Sequence, residues 1–330
     1  MKYFVTGATG FIGSRVVRQL RGSGHDVIAL VRNLSAAQPL ADQGIQLAEG
    51  DVTDKQSMRA PMTGVDGAFH IAGWYKVGGR HKEDAEAINV DGTRNFCELM
   101  RELKTPRGLY VSTLQVYGDT GGELKDESFV FRGKQASRYG ETKWRAHHEV
   151  AAPAIKDGLP LIIVQPGVVI GPEDPSIVGQ MLRLYLRGRL PLTPKGSGYC
   201  WTYIDDQVQG CLLAIERGTL GETYNLGGPA VTLVDAFALA QKITGLPAPI
   251  FHPSPSLMRA MSAIQDVTGV LIPWPDTFSG EILRMGLGET VWGSSAKAER
   301  ELGWKPRPLE ESLRLTLEYE LGRLGKRLKG

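Results

Sequence analysis

The feature that most constrains the fold of this chain is a cluster of glycines directly after its first apolar segment. The apolar residues 3–5 are followed by the sequence TGATGFIG at 6–13. Apolar residues then recur with helical spacing at Ile12, Val16, Val17 and Leu20. The predicted order is therefore strand, glycine-rich turn and helix. In such a turn Gly7 permits a sharp bend, Gly10 allows close approach of a ligand, and Gly13 lets the helix pack against the strand.

The rest of the first half of the chain alternates apolar segments with helical patterns. The apolar segments lie at 27–31, 45–48, 67–72, 108–112 and 161–164, and helical spacing occurs at 88–104 and 141–155. Continuous apolar segments indicate strands that are covered on both faces. Because helices separate these strands, they predict an α/β fold with a Rossmann-type, doubly wound parallel sheet. We predict a dinucleotide-binding domain over residues 1–165.

The second half of the chain is less regular and richer in Gly and Pro after Pro166. Helical spacing returns at 203–217, 232–244, 295–302 and 309–324. Residues 222–227 are predicted to return to the first sheet as a strand. We therefore predict that 166–330 forms a smaller substrate-binding part, interleaved with the first domain. The apolar segment 256–288 is either the core of this part or an apolar lid suited to a hydrophobic carbonyl substrate or a membrane-surface lipid.

The composition excludes several classes of protein. The 330 residues include 38 basic and 36 acidic side chains, so the sequence gives no case for a nucleic-acid partner. The three cysteines have no metal-binding spacing, which argues against a zinc site or a disulfide framework and favours a cytoplasmic location. No run of 18 apolar residues predicts a transmembrane segment. No metal site is expected, and His147 and His148 are interpreted as surface positions on a helix.

The glycine cluster lies in the context that dinucleotide binding requires, between a strand and a helix whose N-terminal N–H groups can bind a pyrophosphate. The predicted cofactor contacts in this loop are Gly7, Thr9, Gly10, Phe11, Ile12 and Gly13. The second strand ends in Arg32 rather than in an acidic residue, and a guanidinium can bind a 2′-phosphate. NADP(H) is therefore predicted, with NAD(H) as the alternative. Asp51 and Val52 are placed to contact adenine, although capping of a helix by Asp51 or Thr53 explains that sequence equally well.

Tyr139 and Lys143 are four residues apart, which places both side chains on one face of a predicted helix. A neighbouring ammonium lowers the pKa of a phenol, so Tyr139 is the predicted proton donor and acceptor. Thr113 ends the fifth strand, where ligands of a parallel sheet bind, and is predicted to hold the substrate oxygen. Ser112 is the alternative hydroxyl, and both hydroxyls could instead only end the strand.

Nine short motifs follow one another along the chain. They are TGATGFIG at 6–13, GDVTD at 50–54, FHIAG at 69–73, NVDGTRN at 89–95, VSTLQVYG at 111–118, YGETK at 139–143, QPGVVIGP at 165–172, YIDD at 203–206 and AERELGWKP at 298–306. In this order they resemble the extended short-chain dehydrogenase/reductases of the NAD(P)-dependent epimerase/dehydratase superfamily. The resemblance implies a catalytic set that falls on Thr113, Tyr139 and Lys143, with Lys143 also binding the nicotinamide ribose. It further implies cofactor contacts at Ala72, Pro166 and Val168.

The sequence departs from parts of that family in informative ways. The stretch 165–172 resembles the dihydroflavonol-reductase-like branch, which includes the hopanoid-associated sugar epimerase group, more than it resembles nucleotide-sugar epimerases. Sugar dehydratases have an Asp-Glu pair where this chain has Leu114 and Gln115, which argues against elimination of water. Substrate contacts are expected at Trp74, although packing of its loop is an equal alternative, and at Gln115. Asp205 and Asp206 are predicted to cap the helix that follows them.

The predicted activity is that of an NADP(H)-dependent oxidoreductase, which transfers hydride to or from a carbonyl or secondary alcohol of a small molecule. The alternative is a nucleotide-sugar or hopanoid-sugar epimerase that retains NAD(P). A non-catalytic dinucleotide sensor is a third hypothesis, against which the intact Thr113, Tyr139 and Lys143 set argues. The family resemblance also implies a homodimer, with contacts through the helices at 88–104 and 141–155.

Overall fold

The computed structural model describes residues 1–75, 83–268 and 287–328. In chain order, its strands are β1 (Lys2–Thr6), β2 (Asp26–Val31), β3 (Gln46–Glu49), β4 (Gly67–His70), β5 (Gly108–Val111), β6 (Leu161–Pro166), β7 (Val168–Ile170), β8 (Gly198–Tyr203), β9 (Thr223–Leu226), β10 (Ala230–Thr232) and β11 (Thr290–Val291). Its α-helices are α1 (Gly13–Gly22), α2 (Leu34–Ala41), α3 (Lys55–Met62), α4 (Glu83–Glu86), α5 (Gly92–Glu102), α6 (Arg138–Arg145), α7 (Ala152–Lys156), α8 (Ile177–Leu186), α9 (Ile204–Arg217), α10 (Leu233–Thr244), α11 (Pro255–Thr268), α12 (Ala296–Leu302) and α13 (Leu309–Arg323).

The larger sheet has the strand order β3-β2-β1-β4-β5-β6-β9, and every neighbouring pair is parallel. The strand order reverses between β1 and β4, which creates the crevice at the carboxyl ends where ligands bind in such sheets. The predicted α/β fold with a doubly wound parallel sheet is therefore confirmed. Strand β9, at the end of the row, pairs with β6 and returns the chain to this sheet.

Both faces of the larger sheet are covered by helices, which explains the continuous apolar segments in the sequence. Phe4 and Val5 are neighbours in β1 and are both fully buried, although their side chains point to opposite faces. Val5 belongs to an apolar cluster with residues of α1 and α9, whereas Phe4 belongs to one with residues of α3 and α5. The sheet therefore lies between two helical layers.

A smaller sheet, which the sequence analysis did not predict, lies beside the larger one. Strand β8 pairs in parallel with β7 and β11 and antiparallel with β10. Its apolar residues pack with α8, α10 and α13 around Trp201, Phe237 and Leu313, which are all at most 1% exposed. This cluster is the core of the smaller part. The division of the chain at residue 165 and the predicted dimer contacts stay predictions.

Two helices predicted from the sequence are interrupted by π-helical turns. Helix α4 continues through a π turn at Ala87–Asp91 into α5, and α6 continues through a π turn at Ala146–Ala151 into α7. Both helical segments also begin earlier than predicted. Helix α6 begins after Ser137, whose hydroxyl accepts a hydrogen bond of 3.0 Å from the backbone N–H of Gly140. The earlier start places Tyr139 and Lys143 within the first two turns of α6.

Candidate active site

The loop between β1 and α1 is held in a shape that only glycine permits at two positions. Gly7 has a φ of +72°, and a Cβ atom placed on it would lie 2.5 Å from the backbone nitrogen of Ala72. A Cβ atom on Gly13 would lie 2.1 Å from the carbonyl oxygen of Gly7. Both distances are far below van der Waals contact. The two glycines therefore bring β1, the segment after β4 and the start of α1 into direct contact.

The same loop offers backbone donors to a ligand. Thr9 and Gly10 are exposed, and in the part of the chain that the structure describes no acceptor binds the backbone N–H groups of Phe11 and Ile12. Helix α1 has no side-chain cap at its N-terminus. Arg15 fixes the loop by donating hydrogen bonds of 3.0 Å and 2.7 Å to the carbonyl oxygens of Phe11 and Pro172. A fixed, uncapped helix N-terminus with free N–H groups fits the pyrophosphate of a dinucleotide.

Two predicted cofactor contacts, Arg32 and Asp51, follow the parallel strands β2 and β3 at the carboxyl edge of the larger sheet. Arg32 directly follows β2 and is exposed, while the next residue, Asn33, caps α2 by accepting a hydrogen bond from Ala36. Helix α3 is capped by Asp54, so the alternative that Asp51 or Thr53 caps a helix is wrong. Asp51 instead accepts two hydrogen bonds of 2.9 Å from Thr53.

Val52, the other predicted adenine contact, has its side chain in the core. It is 6% exposed, and its Cγ2 atom would lie 2.9 Å from a Cβ atom placed on Gly92. Its carbonyl oxygen accepts a hydrogen bond from the side chain of Asn95. The side chain of Val52 therefore packs β3 against α5.

Thr113, Tyr139 and Lys143 come together at the carboxyl end of β5. Thr113 is 8% exposed, and its hydroxyl accepts a hydrogen bond of 3.2 Å from the backbone N–H of Gln115. The side chain of Tyr139 lies close enough to that of Thr113 for the threonine hydroxyl to lower the pKa of the phenol. Thr113 belongs to the strand end and the other two to α6, so the geometry depends on the packing of α6 against β5.

Lys143 is a buried lysine held by β5. Its side-chain nitrogen donates a hydrogen bond of 2.9 Å to the carbonyl oxygen of Val111 and lies 4.5 Å from the centroid of the Tyr110 ring. Burial disfavours the charged form and lowers the pKa of Lys143 to about 7. The side chain can therefore be protonated or neutral near neutral pH.

The electrostatics of Tyr139 differ from the sequence-based expectation. Lys143 was expected to lower the pKa of the phenol, but burial raises that pKa in the structure, and the nearby side chain of Thr113 opposes the increase only in part. The reason is that burial removes the solvation that a phenolate needs. In this structure, then, Tyr139 is poised to donate its proton rather than to exist as a phenolate.

Ser112, the alternative hydroxyl, is engaged elsewhere. Its Oγ atom and Nδ1 of His147 share a hydrogen bond of 3.0 Å. His147 is 7% exposed, so its interpretation as a surface residue is wrong. The reason is that α6 packs the face bearing Lys143 and His147 against β5. Burial, His148 and Lys143 together lower the pKa of His147 to about 3, which keeps the imidazole neutral.

Trp74 and Gln115, the predicted substrate contacts, differ in environment. Trp74 is 5% exposed, and Asn89 holds its backbone by accepting a hydrogen bond of 2.8 Å from its N–H and donating one of 3.0 Å to its carbonyl oxygen. Gln115 is half-buried, and its Cγ atom would lie 3.4 Å from a Cβ atom placed on Gly140. Gln115 is therefore next to Tyr139, whereas Trp74 is packed into its loop.

Asn89 is a site residue that the sequence analysis did not single out. It lies in the first π-helical turn, is 1% exposed, and donates a further hydrogen bond of 2.9 Å to the hydroxyl of Thr142. Because Thr142 directly precedes Lys143, Asn89 ties the segment after β4 to α6. Its place in NVDGTRN at 89–95 was the available signal.

The segment after β6 joins the two sheets. Pro166 ends β6 and its carbonyl oxygen lies 3.5 Å from the hydroxyl of Thr113, while Val168 begins β7. A Cβ atom on Gly167 would lie 2.3 Å from the carbonyl oxygen of Cys200, so only glycine fits between the sheets. Pro166 therefore lies beside the predicted catalytic hydroxyl, and Val168 begins the strand that pairs with β8.

The acidic pair at the start of α9 differs from the prediction made from the sequence. Neither Asp205 nor Asp206 caps α9; the capping position is Tyr203, and Asp206 instead forms an ion pair with Arg307. Across residues 1–75, 83–268 and 287–328, no cluster of three or more potential metal ligands occurs. None of the helices described there is both long and apolar enough to cross a membrane.

Comparisons with known proteins agree with this architecture. The model of the NAD dependent epimerase/dehydratase family matches residues 3–227. The chain is 34% identical over 255 residues to a putative dihydroflavonol 4-reductase of Synechocystis sp.. The aligned region covers 75% of this chain and 74% of that protein. The chain is 29% identical over 311 residues to sterol demethylase protein B of Methylococcus capsulatus, covering 93% and 94% respectively. The crystal structure of gox2253 matches 99% of both chains with a TM-score of 0.83 and 31% identity.

Proposed function

Because the chain belongs to the NAD-dependent epimerase/dehydratase family, we propose that it is an NADP(H)-dependent oxidoreductase that transfers hydride to or from a carbonyl or secondary alcohol carbon. The observation that carries this proposal is the convergence of Thr113, Tyr139 and Lys143 at the carboxyl end of β5. These three side chains provide a hydroxyl, a protonated phenol and a buried amine beside the crevice. The glycine loop and the free N–H groups at α1 support dinucleotide binding at the same edge of the sheet.

Each side chain has a distinct role in the proposed reduction. A bound nicotinamide dinucleotide supplies the hydride, which adds to the carbonyl carbon. Tyr139 donates its proton to the oxygen, so that the products are an alcohol and an oxidised cofactor. Thr113 orients that oxygen through a hydrogen bond. Lys143 would hold the nicotinamide ribose, and in its protonated form it would favour the phenolate that remains.

The residues after Thr113 favour hydride transfer over loss of water. Leu114 is 1% exposed and belongs to an apolar cluster with Val116 and Cys200. Gln115 lies beside Gly140 but carries no ionisable group. Elimination needs an acid and a base next to the substrate, and these two positions supply neither. The relative named putative dihydroflavonol 4-reductase supports the same choice.

The preference for NADP(H) rests on Arg32. It is exposed at the end of β2, where the ribose of a bound dinucleotide lies in this kind of fold. The substitution Arg32→Glu should weaken NADPH binding at least tenfold more than NADH binding. Arg18→Glu, an exposed arginine on α1, is the matched control and should change neither affinity. Equal losses for both cofactors with Arg32→Glu would refute the 2′-phosphate role.

The activity is tested by following the absorbance of reduced nicotinamide during incubation with panels of aldehydes, ketones and nucleotide sugars. A reductase consumes NADPH in proportion to the alcohol formed. Tyr139→Phe should lower kcat by about two to four orders of magnitude, the range typical of a lost general acid. Tyr319→Phe in α13 removes a phenol remote from the site and should leave kcat unchanged. Full turnover by Tyr139→Phe would show that the assignment is wrong.

The epimerase alternative is supported by the description of the family itself. In that reaction Tyr139, as the phenolate, would accept the proton of a secondary alcohol while hydride passes from its carbon to the bound cofactor, and would return the proton when hydride returns to the opposite face. Such an enzyme would purify with bound cofactor and convert a nucleotide sugar without net consumption of NADPH. That result would replace the reductase proposal while leaving the roles of Tyr139 and Lys143 intact.

A further inference from the structure

One surface of the protein, outside the proposed active site, combines exposed apolar side chains with basic ones. It is formed by residues 187–195, which follow α8, and residues 246–259, which lead into α11; we call it the basic apolar face. We propose that the basic apolar face docks onto a lipid bilayer containing anionic headgroups. This inference is independent of the proposed function, because no residue of the face belongs to the catalytic or cofactor-binding set.

The two segments of the basic apolar face lie side by side. The backbone N–H of Thr193 donates a hydrogen bond of 3.1 Å to the carbonyl oxygen of Phe251, and that of Lys195 donates one of 3.1 Å to Pro253. The hydroxyl of Thr193 and Nδ1 of His252 share a further hydrogen bond of 2.7 Å. Residues distant in sequence therefore form one continuous surface.

This surface exposes large apolar side chains. Ile250 is 94% exposed, Phe251 is 49% exposed and Leu257 is 41% exposed. Prolines restrict the backbone around them, at positions 247, 249, 253 and 255. A backbone of this kind loses little conformational freedom when its side chains are buried by a partner. The loop therefore holds Ile250 out into solvent in a shape suited to insertion at the headgroup boundary.

The charged residues within these two segments are all of one sign. The whole chain is nearly balanced, with 38 basic and 36 acidic residues. Yet no Asp or Glu occurs in the thirty residues 175–204 or in the thirty residues 236–265. The exposed basic side chains of the face are Arg187, Arg189, Lys195 and Arg259.

This charge segregation identifies the chemistry of the partner. An apolar partner alone would not require two segments without Asp or Glu, and a purely electrostatic partner would not require an exposed Ile250. Anionic headgroups above an acyl layer satisfy both features, because basic residues bind the headgroups while apolar side chains enter the boundary below them. An acidic protein is the competing partner, and it would depend on charge without requiring insertion.

The proposal is tested by co-sedimentation of the full chain with vesicles of phosphatidylcholine, alone or with a third of phosphatidylserine. We expect binding to the anionic vesicles only, and weaker binding as salt is raised. Ile250→Glu and the double variant Arg187→Glu/Arg189→Glu should each lower the bound fraction at least fivefold. All three positions are exposed, so unchanged thermal unfolding will show that the fold is intact.

Matched controls use the same substitutions elsewhere. Leu220→Glu alters another exposed apolar residue, and Arg217→Glu another exposed arginine, and neither should change vesicle binding. No binding to anionic vesicles, or equal binding to neutral ones, would overturn the proposal. Loss with the arginine variants but not with Ile250→Glu would also overturn it, since binding through charge alone does not involve insertion of the apolar side chains. Vesicle binding needs no substrate, so failure here leaves the proposed function untouched.

Discussion

The side-chain nitrogen of Lys143 donates a hydrogen bond of 2.9 Å to the carbonyl oxygen of Val111, inside the packed layer between α6 and β5. The chain thus places an amine where its charged form is poorly solvated, and the pKa of Lys143 falls to about 7. The hydrogen bond and the nearby ring of Tyr110 offset only part of the cost of burial. The proposed active site is therefore a place where function and stability conflict.

The first prediction is that Lys143→Met stabilises the protein while abolishing turnover. The folded pKa of about 7 lies below the ordinary value of 10.5, so between pH 7 and pH 10.5 the unfolded chain binds more protons than the folded one. The lysine therefore lowers stability as pH falls from 10.5 to 7, and this loss is complete below pH 7. An apolar side chain of similar length should raise the free energy of unfolding at pH 7 by about 1–3 kcal/mol.

Thermal and urea unfolding at pH 7 measure this effect. Lys297→Met is the matched control, because Lys297 also lies over a tyrosine ring, that of Tyr224, but is paired with Glu222 and partly exposed. That variant should be neutral or slightly destabilised. A Lys143→Met protein that is less stable than the unsubstituted chain would show that the hydrogen bond and ring contact outweigh desolvation.

The second prediction concerns stability in acid. Burial lowers the pKa values of both His70 and His147 to about 3, against an ordinary value of 6.5. Both imidazoles are therefore neutral in the folded protein. Above pH 6.5 they are also neutral in the unfolded chain, so in that range they do not lower the free energy of unfolding. As pH falls from 6.5 toward 3, only the unfolded chain takes up these protons, so each histidine should lower stability by about 1.4 kcal/mol per pH unit.

Urea unfolding at several pH values between 7 and 4 measures that slope. His147→Asn keeps an amide that can hydrogen-bond with Ser112 but removes one titrating group. The free energy of unfolding of this variant should therefore fall less steeply as pH is lowered, by the contribution of about one titrating proton. An unchanged slope would mean that His147 is protonated in the folded protein, in conflict with its burial beside Lys143.

The larger sheet was predictable because its signals are local. Continuous apolar segments and the spacing of Gly7, Gly10 and Gly13 are both readable from consecutive residues. Tyr139 and Lys143 were recognisable for the same reason, since four-residue spacing places them on one helical face. The environment of Lys143 was not, because its partners Val111 and Tyr110 come from a distant strand.

The smaller sheet was missed because its strands are short and contain few consecutive apolar residues. Strands β7 and β10 have three residues each, and β11 has two. Each of these strands pairs with β8, which lies elsewhere in the sequence. Such pairing cannot be read from consecutive residues. The segment 256–288, interpreted as core or lid, lies largely outside the described residues; within α11, Met258 is buried and Leu257 is exposed.

The third prediction tests the glycine loop. Gly13→Ala would place a Cβ atom 2.1 Å from the carbonyl oxygen of Gly7, so α1 must move away from β1. We expect a loss of stability of about 2–4 kcal/mol, typical of overpacking in a site that cannot relax, and at least a hundredfold weaker dinucleotide binding. Gly22→Ala in the same helix is the matched control, since a Cβ atom there meets nothing within 4 Å.

Fluorescence of bound NADPH and urea unfolding measure the two effects separately. Gly22→Ala should bind the cofactor normally and gain up to about 1 kcal/mol, because alanine restricts the unfolded chain. If both variants behave alike, the close approach of α1 to Gly7 has no consequence for the loop.

The fourth prediction concerns the ion pair that joins α9 to the segment before α13. Asp206 is 6% exposed and accepts three hydrogen bonds of 2.9 Å from Arg307, one from its backbone N–H and two from its guanidinium. The guanidinium also lies 4.4 Å from the centroid of the Tyr203 ring. Removing one partner leaves the other with a buried, unpaired charge, which is strongly unfavourable.

We therefore expect Arg307→Met to lower the free energy of unfolding by about 2–4 kcal/mol. Arg314→Met is the matched control, because Arg314 forms an exposed pair with Glu310 at 3.4 Å, and pairs of that kind contribute at most about 1 kcal/mol. The double variant Asp206→Asn/Arg307→Met should recover part of the loss, since no unpaired charge remains. If Arg307→Met costs no more than Arg314→Met, the fold tolerates an unpaired Asp206, and α9 is held by the hydrogen bond from Trp304 to the carbonyl oxygen of Asp206 instead.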